Sequence, residues 1–82
     1  MPSESEWERR RVFGQRVRAL RCRRAMSQLG LAEGAGLSRT YVRAIERGES
    51  TVRLDAIWCL ADALGCHPRE LLAPEPFRPE GD

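Results

Sequence analysis

Eighty-two residues, 9.3 kDa, 41% apolar and 32% charged, describe one small domain and leave no room for a barrel enzyme or a doubly wound nucleotide domain. The chain is too apolar to be disordered, too charged for a bilayer, and has no apolar run near the roughly 20 residues of a membrane span. Its net charge of +2 hides a segregation: residues 9–53 carry twelve Arg against Glu33, Glu46 and Glu49, while residues 54–82 carry two Arg against six acids. A basic first half and an acidic second half predict a polyanion-binding face opposed by a surface of another kind. A set of merely solvated Arg is the plainer reading of the same charges.

Residues 1–8 form a polar, acidic extension that is no secretory signal, and the protein is expected in the cytoplasm. A first helix is predicted to begin near Ser5, with Glu8 three residues on completing a capping box. Phe13, Val17 and Leu20 recur at helical spacing to about Arg24, and the Arg-rich remainder should face outward. A second helix starts at Ser27, carries Leu31, Ala32 and Ala35 inward, and stops at Gly36. Ser38 caps a third, Arg39 to Arg47, which Gly48 ends. A fourth turns Leu54, Ile57, Ala61 and Leu64 inward and ends at Gly65. Pro68 opens a short fifth helix through Leu71 and Leu72, and Pro74, Pro76 and Pro79 make residues 74–82 a non-helical tail. The predicted fold is all-α: five compact helices over residues 9–73 sharing one core.

Cys22, Cys59 and Cys66 form no CxxC pair, and His67 alone cannot complete a zinc set, so no metal or cofactor is expected. On a helical wheel Cys59 lies opposite the apolar stripe and Cys22 lies among Arg, so both should be exposed, and Cys66 buried. One His, no paired carboxylates, no Gly-rich phosphate loop and no nucleophile elbow leave an enzyme without its usual parts.

The informative segment is SQLGLAEGAGLSRTYVRAIERG, residues 27–48, two short helices joined by a tight Gly-containing turn: the sequence form of a helix-turn-helix. Val42 and Ile45 share the inward side of the third helix, while Thr40, Arg43, Ala44 and Arg47 fall on the other. Arg can donate twice to guanine, Thr can bond a base or touch a thymine methyl, and small Ala44 permits close approach. Arg39 stands at the helix start, where recognition helices meet base edges.

With LRCRRAMSQ before this segment and VRLDAIWCLADALGCHPRELL after it, the chain resembles the Cro/phage-repressor type of helix-turn-helix regulator over about Phe13 to Leu72. RTYV, IERG and LDAI most resemble the controller proteins of restriction–modification systems. The resemblance implies a lambda-repressor-like fold, double-stranded DNA as partner, and a homodimer acting near its own gene. Residue by residue it implies base reading by Arg39, Thr40 and Arg43 with Tyr41 beside them, and backbone contacts from Ser27, Gln28, Ser38 and Arg47. It also implies a partly buried ion pair between Arg21 and Glu46. Leu29, Gly30 and Arg53 depart from the family pattern, which bears on local stability and leaves the reading residues untouched.

A dimer spaces two recognition helices about 34 Å apart, and the acidic, more apolar second half is where it should form. Trp58 fits either core or interface, Leu72 lies just past the core, and Phe77 fits an interface or a tail tucked against its own chain. An antitoxin-like protein-binding regulator is the competing class, with Leu29 and the Pro-rich tail as its contact surfaces.

Overall fold

The computed structural model describes residues 1–73 and consists of five α-helices: α1 (Glu4–Arg23), α2 (Gln28–Ala35), α3 (Arg39–Glu46), α4 (Leu54–Leu64) and α5 (Arg69–Leu72). Phe77 and the rest of the Pro-rich segment lie outside the described residues. The core is one cluster drawn from all five helices, with Val17, Leu31, Val42, Ile45, Leu60, Leu64 and Leu71 excluded from solvent. No helix among the described residues is long and apolar enough to cross a membrane.

The capping signals of α2 and α3 hold as expected. Ser27 Oγ accepts from the Gly30 amide at 2.9 Å and Ser38 Oγ from the Tyr41 amide at 3.0 Å. Gly36 closes α2 in the left-handed conformation, φ 69°. The start of α1 differs from expectation. Its cap is Ser3, whose hydroxyl accepts from the Glu6 amide while Glu6 Oε1 accepts from the Ser3 amide at 2.7 Å. Ser3 and Glu6 have the same spacing as Ser5 and Glu8, so the earlier pair adds helical hydrogen bonds and wins. Residues 4–8 are therefore the first turns of α1 rather than an extension, and Glu8 pairs with Arg11 along the helix.

Arg16 is a second difference. It was expected outward with the other Arg of α1, yet it is 2% exposed and its guanidinium donates to the Ala73 carbonyl. A long side chain can run along apolar surface and deliver its charge to a distant acceptor, and here it ties the end of α5 to α1. Arg24 does the same for α4, donating to the Leu64 carbonyl near that helix's end.

The inward face of α4 is also turned from the expected stripe. Ala56, Leu60, Ala61 and Leu64 are buried, Ile57 is half-buried, and Leu54 is 70% exposed. Both stripes have helical spacing, and small residues select between them. Ala56 and Ala61 let α4 lie close, and Gly34 of α2 sits where an added Cβ would just touch Ala63. Trp58 stands half-exposed on the outer side, its ring edge-on to His67 with centroids 6.0 Å apart, so it is no core residue.

The thiols follow from this rotation. Cys22 is exposed, but Cys59 is half-buried against the core because the wheel position opposite Leu54 now faces inward. Cys66 is half-buried too, and burial pushes its thiol pKa up, with Glu70 adding to the rise and Arg24 opposing it. A raised pKa means less thiolate at neutral pH and slower alkylation. Labelling of the native protein at pH 7 should therefore show one fast thiol, Cys22, and two slow ones. A second fast thiol would contradict the placement of Cys59.

Candidate nucleic-acid interface

The short helices α2 and α3 meet across Gly36 and Leu37, and their carriage of function begins with what faces inward. Val42 and Ile45 are sealed in the core, which fixes the rotation of α3. Arg39, Thr40, Arg43 and Arg47 are then exposed on its outer side, with Ala44 half-buried between them. Among the described residues no carboxylate pairs with Arg39, Arg43 or Arg47. Three uncommitted guanidinium groups and a hydroxyl thus share one helix surface, a chemistry suited to base edges and phosphate oxygens.

What holds that surface is a buried polar network at the far end of α3. Arg21 of α1 grips Glu46 with two hydrogen bonds, Nε to Oε2 at 2.7 Å and Nη2 to Oε1 at 3.0 Å. Its remaining Nη1 donates to the Met26 carbonyl at 2.8 Å, tying in the α1–α2 turn. The Glu46 side chain is 3% exposed and that of Arg21 12%. The hydrogen bond from Glu46 raises the Arg21 pKa, burial opposes it, and the charge of Glu46 adds to the rise. The forked geometry of a guanidinium on a carboxylate orients both partners, so the pair sets the angle between α1 and the recognition surface.

Two expected contact residues turn out to be engaged within the chain. The Gln28 amide donates to Glu46 Oε1 at 3.1 Å, making it a third member of the network. Tyr41 is half-buried, and its hydroxyl accepts from the Arg53 amide at 3.1 Å and lies 3.4 Å from the Thr51 carbonyl. The Arg53 guanidinium covers its ring at 5.1 Å. These contacts make Tyr41 a clamp on the α3–α4 loop. Arg53 itself leaves α4 without a side-chain cap, as its departure from the family pattern implies.

Ser27 and Ser38 each accept from their own helix and keep an O–H donor at a helix start, where free amides and the dipole favour anions. Leu54, Trp58 and Leu72, 70%, 50% and 56% exposed, belong to the acidic second half of the sequence. The links from Gln28 to Glu46 and from Tyr41 to the loop left no periodic signal in the sequence. The one available clue was Glu46 itself, an acid on a helix otherwise dressed in Arg, which requires a cationic or amide partner.

A family profile described as helix-turn-helix matches residues 17–71. The chain belongs to the helix-turn-helix family. Among helix-turn-helix relatives, the control protein C.BamHI of Bacillus amyloliquefaciens is 47% identical over 64 residues, spanning 77% of this chain and 79% of that protein. The crystal structure of the restriction-modification controller protein C.AhdI from Aeromonas hydrophila is similar with a TM-score of 0.74 and 48% identity, covering 76% of this chain and 94% of that one. The P22 c2 repressor, solved in complex with a synthetic operator, matches with a TM-score of 0.73 and 30% identity over 78% of this chain and 97% of that chain. The lambda-repressor-like helix-turn-helix fold expected from the sequence is thus the fold observed.

Proposed function

We propose that the protein is a cytoplasmic, sequence-specific double-stranded DNA-binding transcriptional regulator. It acts as a homodimer on an inverted-repeat operator near its own gene, as the controller of a restriction–modification operon. The observation that carries this reading is the outer face of α3: Arg39, Thr40 and Arg43 exposed, with no acid partner for either Arg among the described residues, on a helix whose rotation and tilt are fixed by Val42, Ile45 and the Arg21–Glu46–Gln28 network. Likeness to two restriction–modification control proteins supports the operon assignment. The exposed Trp58, Leu54 and Leu72 of the acidic second half of the sequence supply apolar surface for a second copy.

In this reading Arg39 and Arg43 donate to guanine, Thr40 contacts a base beside them, and Arg47, Ser27 and Ser38 hold phosphates. Gln28 and Tyr41 keep the two helices and the following loop in register with the groove. Binding then falls steeply as salt rises, because each neutralised phosphate releases counterions. Arg39→Ala or Arg43→Ala should weaken operator binding by about 1–3 kcal/mol and relax preference at one base position per half-site. Arg47→Ala should weaken operator and unrelated duplex alike and flatten the salt slope by about one unit. Fluorescence anisotropy titrations on both duplexes at several salt concentrations measure all three. Operator affinity indifferent to Arg39 and Arg43 would remove the base-reading role from α3.

A further inference from the structure

Helix α1 carries charge that neither the core nor the Arg21–Glu46 pair uses. Arg9, Arg11, Arg18 and Arg23 are exposed along it, and the two neighbours that fix its rotation decide where each one looks. Phe13, Val17 and Leu20 are buried in the core. Gly14 lies against the Ile45 and Glu46 carbonyls and Arg21 grips Glu46, so that side of α1 faces the last turn of α3. At about 100° per residue, the Gly14–Arg21 side stands about 80° round from the core stripe, and about 60° further in the same sense come Arg18 and Arg11. A direction that leads away from the core and past α3 is also the direction of α3's outer face, so Arg11 and Arg18 look the same way as Arg43 and Arg47. Arg9 and Arg23 fall about 130–170° round from them, on the other side of the helix.

The end of α3 also touches this side of α1 directly. Gly48, left-handed at φ 74°, lies so close that an added Cβ would stand 2.9 Å from the Arg11 Cα. Arg47, one residue earlier, is exposed. Arg11 is thus set beside the end of the α3 surface, and Arg18 follows two turns on, about 10 Å along the helix. Among the described residues Arg18 has no carboxylate partner, and Arg11 has Glu8 in an ion pair with both side chains more than half exposed. Water already screens such a surface pair, and a phosphate can replace it.

We infer that α1 is a second DNA-contacting element, with Arg11 and Arg18 each holding a backbone phosphate beside the stretch that α3 reads. A guanidinium on a phosphate is a charge-assisted contact that carries no base identity. These two contacts therefore add affinity and fix the angle of docking without adding sequence preference. Standing about 10 Å apart, the two Arg meet separate phosphates, and each releases its own share of counterions. The inference rests on the DNA-binding reading of α3 and widens its footprint to a helix that holds no base reader.

Anisotropy titrations of the full-length chain at several salt concentrations test it, on the duplex upstream of its own start codon and on an unrelated duplex of equal length. Arg11→Gln and Arg18→Gln are set against Arg9→Gln and Arg23→Gln. All four remove one exposed charge from the same helix, so only its direction differs. Arg11→Gln and Arg18→Gln should each weaken both duplexes by the same factor and flatten the slope of log K against log salt by about one. Arg9→Gln and Arg23→Gln should leave that slope unchanged. Equal losses from all four would reduce the effect to net charge and overturn the inference. An unchanged slope at Arg11 or Arg18 overturns it for that residue, and a continued loss of preference with Arg39→Ala then leaves the reading of α3 standing without α1. Indifference to Arg39→Ala and Arg43→Ala as well would bring down the α3 reading and this inference together.

Discussion

Glu46→Ala is expected to lower the unfolding free energy by about 3–5 kcal/mol, because it leaves the Arg21 guanidinium largely buried without its counter-charge. The geometry makes the loss unusually complete. Two of the three hydrogen bonds from the Arg21 side chain end on Glu46, and the Gln28 amide loses its acceptor in the same step. A domain of this size has a total stability of order 5–15 kcal/mol, so the variant should unfold at much lower denaturant. Chemical denaturation gives the stability change, and a titration in the cold gives affinity per folded molecule, expected to change far less. Retained stability with lost affinity would mean that Glu46 touches the DNA or a partner instead of holding α3. Arg21→Met should cost at least as much, because it strands the Glu46 carboxylate, the more deeply buried partner at 3% exposed, with the Gln28 amide alone to meet it.

Gly14→Ala is the second large effect, expected at or above the upper end of the about 1–3 kcal/mol usual for overpacking. Helix α1 crosses the last turn of α3 at this residue. An added Cβ would stand 2.8 Å from the Glu46 carbonyl oxygen and closer still to that of Ile45. Both obstacles are backbone, so no side chain can swing aside, and the helices must part. Gly34→Ala is the contrasting control. There the new Cβ meets only Ala63 Cβ at 3.5 Å, an ordinary contact, and alanine is better than glycine in a helix by up to about 1 kcal/mol. One glycine should therefore be indispensable and the other improvable, both read by thermal denaturation. Equal tolerance of alanine at the two positions would contradict the close crossing of α1 and α3.

What the sequence made legible was whatever depends on neighbours in the chain. Ser27, Ser38, Gly36 and Gly65 announce helix ends through local chemistry, and Val42 with Ile45 sets the outward face of α3 by periodicity alone. The Arg21–Glu46 pair came from family resemblance and is present as a buried fork. The remainder depends on distances between elements. Gly14 looks like a mere weakness within a helix until α3 lies across it. Arg16 is one Arg among many until α5 offers it a carbonyl. The turn of α4 that exposes Leu54 and half-buries Cys59 was chosen by the close approach of α2, which one-dimensional spacing does not encode. Tyr41 sits within a reading motif, and only the loop folded over it shows that its hydroxyl is taken.

Nuclease footprinting of the purified protein on the DNA upstream of its own start codon is the most direct test of a homodimeric operator-binding regulator. The expected result is a protected inverted repeat with half-site centres separated by a whole number of helical turns, about 34 Å each, and protection lost from the matching position in each half-site with Arg39→Ala. Uniform, sequence-indifferent coverage of that DNA at every protein concentration, or no protection at all, would contradict the account.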